Sequence, residues 1–274
     1  MEKPKIFLLL LLITAGILCG QTTDELSFIK TQNLSYLLTG DSLYYQNPET
    51  FEWERWERPE PIGYIGEGYK RLRIHYTKVE KSANDSLLYE VSGKTKVADN
   101  ICDFTGTIRV TQANVDASEF APDAQLGSLS GEFVFYEDET QKGSGTFEGT
   151  FWSRYWLPHG KRTPPLAASG PERSFDNPAA IAIYNTIDLD DPGFGNNQFF
   201  GEWTSYRSGK KQPVVWADFR FSFATDLDIG ASEFSPNPTY YERGWRSYTE
   251  AWLRSNDSAA SQAARQIEMA EWWK

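Results

Sequence analysis

The chain has 274 residues, of which 15% are aromatic, and a formal net charge of −11 at pH 7. A surface this acidic repels phosphate backbones and anionic lipids, which argues against nucleic-acid and membrane-surface partners. Two histidines and two cysteines are too few for a convincing zinc site or a His-dependent nucleophile.

Residues 1–20 have the pattern of a secretory signal peptide. Lys3 and Lys5 precede an apolar run shorter than the roughly 20 residues that a membrane-spanning helix needs. We expect cleavage after Gly20 and export to the periplasm or the cell exterior. The alternative is lipidation of Cys19, which would anchor the protein to a membrane.

Cleavage at that position leaves Cys102 as the sole cysteine of the mature chain, so no internal disulfide is expected. Cys102 lies in a strand-like segment. This position predicts a buried thiol that packs as a small apolar residue, rather than a reactive group.

The mature chain is predicted as one β-rich domain over residues 69–274, preceded by an irregular segment over 21–68 with one strand at Leu43–Gln46. A polar stretch at 82–86 predicts a hairpin between the first two strands of the domain. Alternating apolar and polar residues predict strands at 69–78, 87–97, 101–111, 128–137, 146–157, 199–207 and 214–223, with another at 179–187 inside a long loop.

Four strands share the pattern apolar-x-Gly-x-apolar, centred on Gly106, Gly131, Gly149 and Gly201. Because side chains alternate between the faces of a strand, each glycine shares a face with its large neighbours. Glycine weakens a strand, so this pattern indicates sharp coiling or the close approach of another side chain. We therefore expect a mainly β fold, either a coiled antiparallel barrel or a tightly rolled sandwich.

Residues 239–274 are predicted as two α-helices packed on the sheet. Thr239 and Glu242 have capping-box spacing, and 258–273 forms a second helical pattern. These helices would use several of the abundant aromatic residues, which follow at helical intervals at Tyr241, Trp245, Tyr248 and Trp252.

Two resemblances accompany these patterns. Gly201-Glu202-Trp203 resembles the Gly-x-Trp signature of calycin-type barrels, the lipocalin and avidin group, although lipocalins carry it in the first strand. That resemblance implies a coiled barrel with a small ligand in its interior. The run from Trp203 to Trp245 resembles exported Bacteroidota proteins. That resemblance implies a bacterial source from this group, but it implies no particular activity.

Carboxylates are the only credible catalytic groups. Glu132, Glu148 and Glu202 each adjoin a glycine of the repeated pattern and point away from its apolar face. Two of them facing each other across a cleft could hydrolyse a glycosidic bond, with Trp152 and Trp156 stacking on the sugar rings. The alternative is that the three glutamates are solvent-facing strand residues and that the terminal helices cover the two tryptophans.

The leading functional hypothesis is an exported, non-catalytic binding or interaction protein, without an assigned enzyme activity. Its partner would be a glycan, another small apolar molecule or an envelope protein. The expected ligand-binding residues are Trp152, Trp156, Trp203 and Trp216. A carbohydrate-active hydrolase and a structural envelope protein are the alternatives.

The spacing of acidic residues in two groups suggests a calcium site as a hypothesis, and no other cofactor is expected. Carboxylates surround Gly230 and also precede Gly193, but neither group has the spacing of an EF-hand loop. Ordinary turns are the alternative explanation. The two groups are Asp226, Asp228 and Glu233, and Asp188, Asp190 and Asp191.

Overall fold

The computed structural model describes residues 22–116, 124–158, 183–221, 226–254 and 258–274. The predicted signal peptide with Cys19, and His159, lie outside the described residues. Within those ranges, no helix is long and apolar enough to cross a membrane.

The fold is mainly β, with eight strands in a closed antiparallel barrel, which confirms the predicted barrel over the sandwich. Two short helices come first, α1 (Thr22–Thr31) and α2 (Ser35–Thr39). The strands are β1 (Ser42–Gln46), β2 (Trp53–Glu57), β3 (Ile62–Ile65), β4 (Lys70–Lys81), β5 (Leu88–Val97), β6 (Asn100–Asp116), β7 (Ala124–Glu137), β8 (Gly145–Pro158), β9 (Tyr184–Asn185), β10 (Asn196–Ser205) and β11 (Lys211–Asp218).

The barrel strands follow one another in chain order, as in an up-and-down barrel. Strands β3 to β8 form a meander, β8 pairs with β10, β10 pairs with β11, and β11 pairs with β3 to close the sheet. Strand β9 is an additional strand on β8, opposite Tyr155 and Trp156. The separate β1–β2 hairpin meets it through a bridge between Tyr44 and Thr186.

The segment 21–68 was expected to be irregular, and it is instead largely ordered. It contains α1, α2, the β1–β2 hairpin and barrel strand β3. Residues Ile62–Ile65 are all buried, so this strand lacks the alternation that reveals a half-exposed one. The sequence pattern therefore could not show that β3 closes the barrel.

Aromatic rings fill the barrel. Trp216 is 1% exposed and stacks on Phe199, with ring centroids 4.9 Å apart. Its indole Nε1 donates a hydrogen bond of 3.0 Å to the Tyr76 hydroxyl, so its polar atom is satisfied inside an otherwise apolar core. Further rings, from Phe104, Phe133, Phe135 and Phe147, belong to the same core cluster as Trp216.

Two of the four patterned glycines, Gly106 and Gly131, lie against aromatic rings, whereas the atoms nearest Gly149 and Gly201 belong to the backbone of the facing strand. A Cβ atom on Gly131 would lie 2.7 Å from Cε1 of Phe151, and one on Gly106 would lie 2.9 Å from Cδ1 of Phe135. Both distances are too short for real carbon atoms, so any larger residue would displace a ring or the backbone. The predicted close approach by other side chains is confirmed for Gly106 and Gly131, whereas at Gly149 and Gly201 the close approach is made by backbone atoms.

Both ends of the barrel are closed. Leu34 and Leu37, beside and within α2, cover one end and leave a cavity of about 30 Å³. At the other end the buried carboxylate of Glu137 accepts hydrogen bonds from Trp203 Nε1 at 3.0 Å and from the Gly145 amide at 2.8 Å. Burial raises the pKa of Glu137, outweighing these hydrogen bonds.

The C-terminal residues pack on the outside of the barrel, as predicted. Trp245 is fully buried there in a cluster with Tyr64, Phe221 and Phe234. The helical elements are a 3₁₀ helix (Pro238–Arg243), α3 (Arg246–Tyr248), a π-helical turn (Thr249–Leu253) and α4 (Ala259–Glu268). The second predicted helix is confirmed as α4, although it is shorter than 258–273.

The first predicted helix is broken into three pieces. Gly244 has a φ of +103° and ends the 3₁₀ helix, a backbone conformation that glycine adopts without a Cβ clash. The helix cap also differs from the predicted one, because the Asn237 side chain accepts the hydrogen bond from the Thr239 amide at 3.0 Å.

Candidate functional site

A cavity of about 1010 Å³ lies outside the barrel, between the barrel wall and the C-terminal helical elements. We call it the outer groove. Its walls include Ile62 and Arg71 of the barrel, Leu189 in the loop after β9, Arg220 after β11, and Trp252 and Trp273 near the C-terminus. Four separate parts of the chain therefore meet at this site.

Among the described residues, three arginines line the outer groove, and each one is held in an ion pair. The guanidinium of Arg58 forms two hydrogen bonds of 2.9 Å with Asp218, and both side chains are almost fully buried. The other two pairs are Arg71 with Glu268 and Arg220 with Asp228. Because these charges are already neutralised, the arginines stiffen the walls and add little net positive potential to the groove.

The Arg71–Glu268 pair ties α4 to strand β4. Its two hydrogen bonds measure 2.7 and 2.5 Å, and the Ser247 hydroxyl donates a third to Glu268. Burial acts to raise the pKa of Glu268, but Arg71 and Ser247 outweigh it and hold that pKa below its ordinary value. Glu268 is therefore ionised at neutral pH.

Glu60 is also paired, with Arg73, but other carboxylates of the outer groove lack such partners. Within the described ranges, Glu57, Asp188, Asp191 and Glu233 line the groove without an ion-pair partner inside 4 Å. Asp188 and Asp191 accept backbone amide hydrogen bonds within their own loop, at 3.0 and 2.8 Å, which fixes their positions. The groove thus carries an excess of negative charge.

The rim of the outer groove exposes large apolar side chains. Leu189 is 41% exposed, Trp252 is 47% exposed and Met269 is 70% exposed, and all three line the groove. Apolar groups gathered around one concave surface are typical of interaction sites.

The structure places Trp152 and Trp156 on the outer face of β8. Trp152 lines a surface cavity of about 440 Å³ that shares Asp191 and Phe194 with the outer groove. The guanidinium of Arg154 covers the Trp152 ring, 5.0 Å from its centroid. Trp156 meets Trp53 edge-on at 5.7 Å and donates from Nε1 to the Tyr44 carbonyl at 3.1 Å. The expected cover by the terminal helices is wrong for Trp156, because Trp53 and Tyr44 belong to the β1–β2 hairpin.

Trp203 and Trp216, the other two predicted ligand-binding residues, are buried inside the barrel at 8% and 1% exposure. The structure does not bring the four tryptophans together on one surface. That they bind a ligand stays a prediction. Trp152 lines a surface cavity beside the outer groove, whereas the burial of Trp203 and Trp216 gives that prediction no support.

The three predicted catalytic glutamates lie on the outer wall of the barrel. Glu202 is directly opposite Glu148 across β8 and β10, and Lys211 Nζ forms an ion pair with Glu202 at 2.5 Å. Glu132 is exposed opposite Thr150. None of the three lines the outer groove, so the hydrolase hypothesis stays a prediction without geometric support.

Three of the predicted calcium ligands, Asp188, Asp191 and Asp228, hold turns in this structure. Asp228 pairs with Arg220 and also accepts from the amides of Gly230 and Ser235, at 2.9 and 3.1 Å. Asp190 accepts a hydrogen bond from the Tyr45 hydroxyl at 2.8 Å. Within the part of the chain that the structure describes, no three His, Cys, Asp or Glu residues are grouped to hold a metal ion.

Cys102 is a buried free thiol, as predicted. Burial and the charge of Glu137 raise its pKa to about 11. The thiol is therefore protonated at neutral pH and is a poor nucleophile.

Sequence reasoning assigned Trp252 to the buried face of a helix and missed Leu189 and Met269. The π-helical turn, closed by a hydrogen bond of 3.2 Å from the Arg254 amide to the Thr249 carbonyl, adds a residue to the turn. Trp252 therefore leaves the face shared by the preceding aromatics. The helical spacing of Trp252 after Trp245 and Tyr248 was the sequence signal that could have drawn attention to this residue.

Function has to be inferred from the geometry and charge of the outer groove. Searches for similar proteins match this chain to no family model, no curated protein and no solved structure.

Proposed function

We propose that this chain is a non-catalytic binding protein whose ligand occupies the outer groove. The observation that carries the proposal is the contrast in available space: the barrel encloses a cavity of about 30 Å³ at one end, whereas the groove offers about 1010 Å³. The smaller space suits about one water molecule. The larger one reaches the upper end of ordinary ligand sites, roughly 300–1,000 Å³.

The lining of the groove supports binding rather than catalysis. Its arginines are engaged in ion pairs, and the described lining contains neither histidine nor cysteine. Glu268 has a lowered pKa, so it stays ionised and is unsuited to donate a proton near neutral pH.

The leader-like residues 1–20 support a location outside the cytoplasm, in the periplasm or beyond the cell. Lipidation of Cys19 is the alternative, and it would hold the same domain at a membrane. Either location is compatible with a partner drawn from glycans, small apolar molecules or envelope proteins.

A thermal-shift screen against glycans, lipids and peptides tests the proposal. A ligand specific to the folded state at a hundred times its Kd adds about 2.7 kcal/mol of stability, which corresponds to a shift of about 5 °C or more for a domain of this size. Trp252→Ala should reduce the shift by about half or more, as expected for a tenfold or larger loss of affinity. Trp56→Ala is the matched control, because Trp56 is a similarly exposed tryptophan, at 43%, that does not line the groove.

A ligand whose shift is unchanged by Trp252→Ala would place the binding site elsewhere and contradict the proposal. A flat response across the whole panel would favour a structural role instead.

A further inference from the structure

We infer that the outer groove binds a cationic, amphipathic peptide segment of a partner protein. This inference rests on the proposed function and adds the chemical class of the ligand. It follows from the charge of the groove, the character of its rim and the shape of the space between them.

The charge of the outer groove favours a cationic ligand. The groove has four carboxylates without ion-pair partners among the described residues, at Glu57, Asp188, Asp191 and Glu233, while its arginines are neutralised by their own partners. A concave acidic surface concentrates the field and attracts cations. It repels phosphorylated, sulfated or carboxylated ligands for the same reason, so the ligand carries lysine or arginine side chains.

The apolar side chains on the rim of the groove favour apolar side chains of a peptide over sugar rings. Leu189 and Met269 are aliphatic, and methionine adapts its shape to varied apolar partners. Sugars prefer flat aromatic platforms, yet Trp273 already stacks one of its faces on His75 at 3.9 Å. A rim of one open tryptophan with aliphatic neighbours therefore suits leucine-like and aromatic side chains better than sugar rings.

The boundaries and volume of the outer groove suit a peptide segment. The groove is bounded on one side by the barrel and on the other by the C-terminal helical elements, and its volume is about 1010 Å³. An amphipathic segment can lay its apolar face against Trp252, Leu189 and Met269 while its basic residues reach the acidic walls. This is the helix-in-groove mode of peptide recognition, in which a few spaced anchors supply most of the binding energy.

The test uses a fluorescently labelled 12-residue peptide of lysine and leucine, patterned as an amphipathic helix. Fluorescence anisotropy measures its affinity for the full mature chain. Two matched peptides serve as comparison: one replaces every lysine by glutamate and the other replaces every leucine by serine. We expect binding of the first peptide only, weakened when NaCl rises from 50 to 500 mM because exposed charges are screened.

Variants of the protein locate the charge effect. Glu57→Gln combined with Glu233→Gln should weaken binding about three- to tenfold, as expected for two exposed ion pairs. The control is Glu132→Gln combined with Glu148→Gln, which removes the same charge from exposed positions on the outer wall away from the groove. Trp252→Ala should weaken binding tenfold or more, as for an apolar anchor.

Equal affinity for the lysine and glutamate peptides, or equal effects of the two double variants, would overturn the inference. A glycan that binds in a Trp252-dependent manner while the lysine peptide does not would also overturn it, yet would leave the proposed function intact. Failure of every ligand would count against both.

Discussion

The barrel interior and the outer groove are both rich in aromatic residues, but different forces hold them together. Inside the barrel, rings such as Trp216 and Phe199 pack over glycines and leave almost no space. In the groove, the walls are tied by buried arginine–carboxylate pairs, and rings such as Trp252 stay open to solvent.

This difference separates the structural aromatics from those available to a ligand. Ring packing inside the barrel does not depend on pH, whereas ion pairs in the groove walls depend on the ionised state of each carboxylate. The groove region should therefore loosen under conditions that leave the barrel intact.

The largest effect is expected from Trp216→Ala. Removing this fully buried ring leaves a cavity among Phe133, Phe147 and Phe199, and the free energy of unfolding should fall by about 3–5 kcal/mol. Urea denaturation measures the change. Trp252→Ala, in the groove, should change the free energy of unfolding by less than about 0.5 kcal/mol. Similar losses for both variants would contradict the distinction between structural aromatic residues in the barrel and exposed ones in the groove.

Glu268→Gln should have the next largest effect. It leaves the guanidinium of Arg71 buried without its anion, which costs about 3 kcal/mol at pH 7. Because the pKa of Glu268 is lowered in the folded state, the stabilisation is present above its ordinary pKa of 4.5 and is lost as pH falls through the folded value. The difference between wild type and variant should therefore shrink below pH 4.5 in urea titrations.

Glu137→Gln supplies the contrast inside the barrel. The pKa of Glu137 is raised from 4.5, so the wild type loses stability relative to the variant as pH rises above 4.5. Parallel pH profiles for the two variants would contradict the opposite directions of the pKa shifts of Glu137 and Glu268.

A smaller loss is expected for Gly131→Ala. The new Cβ would lie 1.9 Å from the Arg109 carbonyl oxygen and 2.7 Å from the Phe151 ring, so local shifts should cost about 2 kcal/mol in urea denaturation. Gly68→Ala is the matched control, because its Cβ would meet nothing closer than 4.0 Å. Equal stability for the two variants would show that the barrel wall can move away from its rings.

The sequence by itself determined the mainly β fold class and most of the barrel strands. Period-two alternation marked most of the strands, and the glycines at positions 106 and 131 indicated close approach by other side chains, because both signals are local consequences of which side chains share a face. The burial of Cys102 followed from the same alternation.

Only the tertiary structure decided how the barrel closes and where the groove lies. Strand β3 is buried on both faces and gives no periodic signal, so its pairing with β11 could not be read from the sequence. The groove depends on contacts between residues far apart in the chain, such as Arg71 with Glu268 and Arg58 with Asp218. Side-chain periodicity reports the environment of one segment, whereas a concave surface made by several segments exists only after they have packed together.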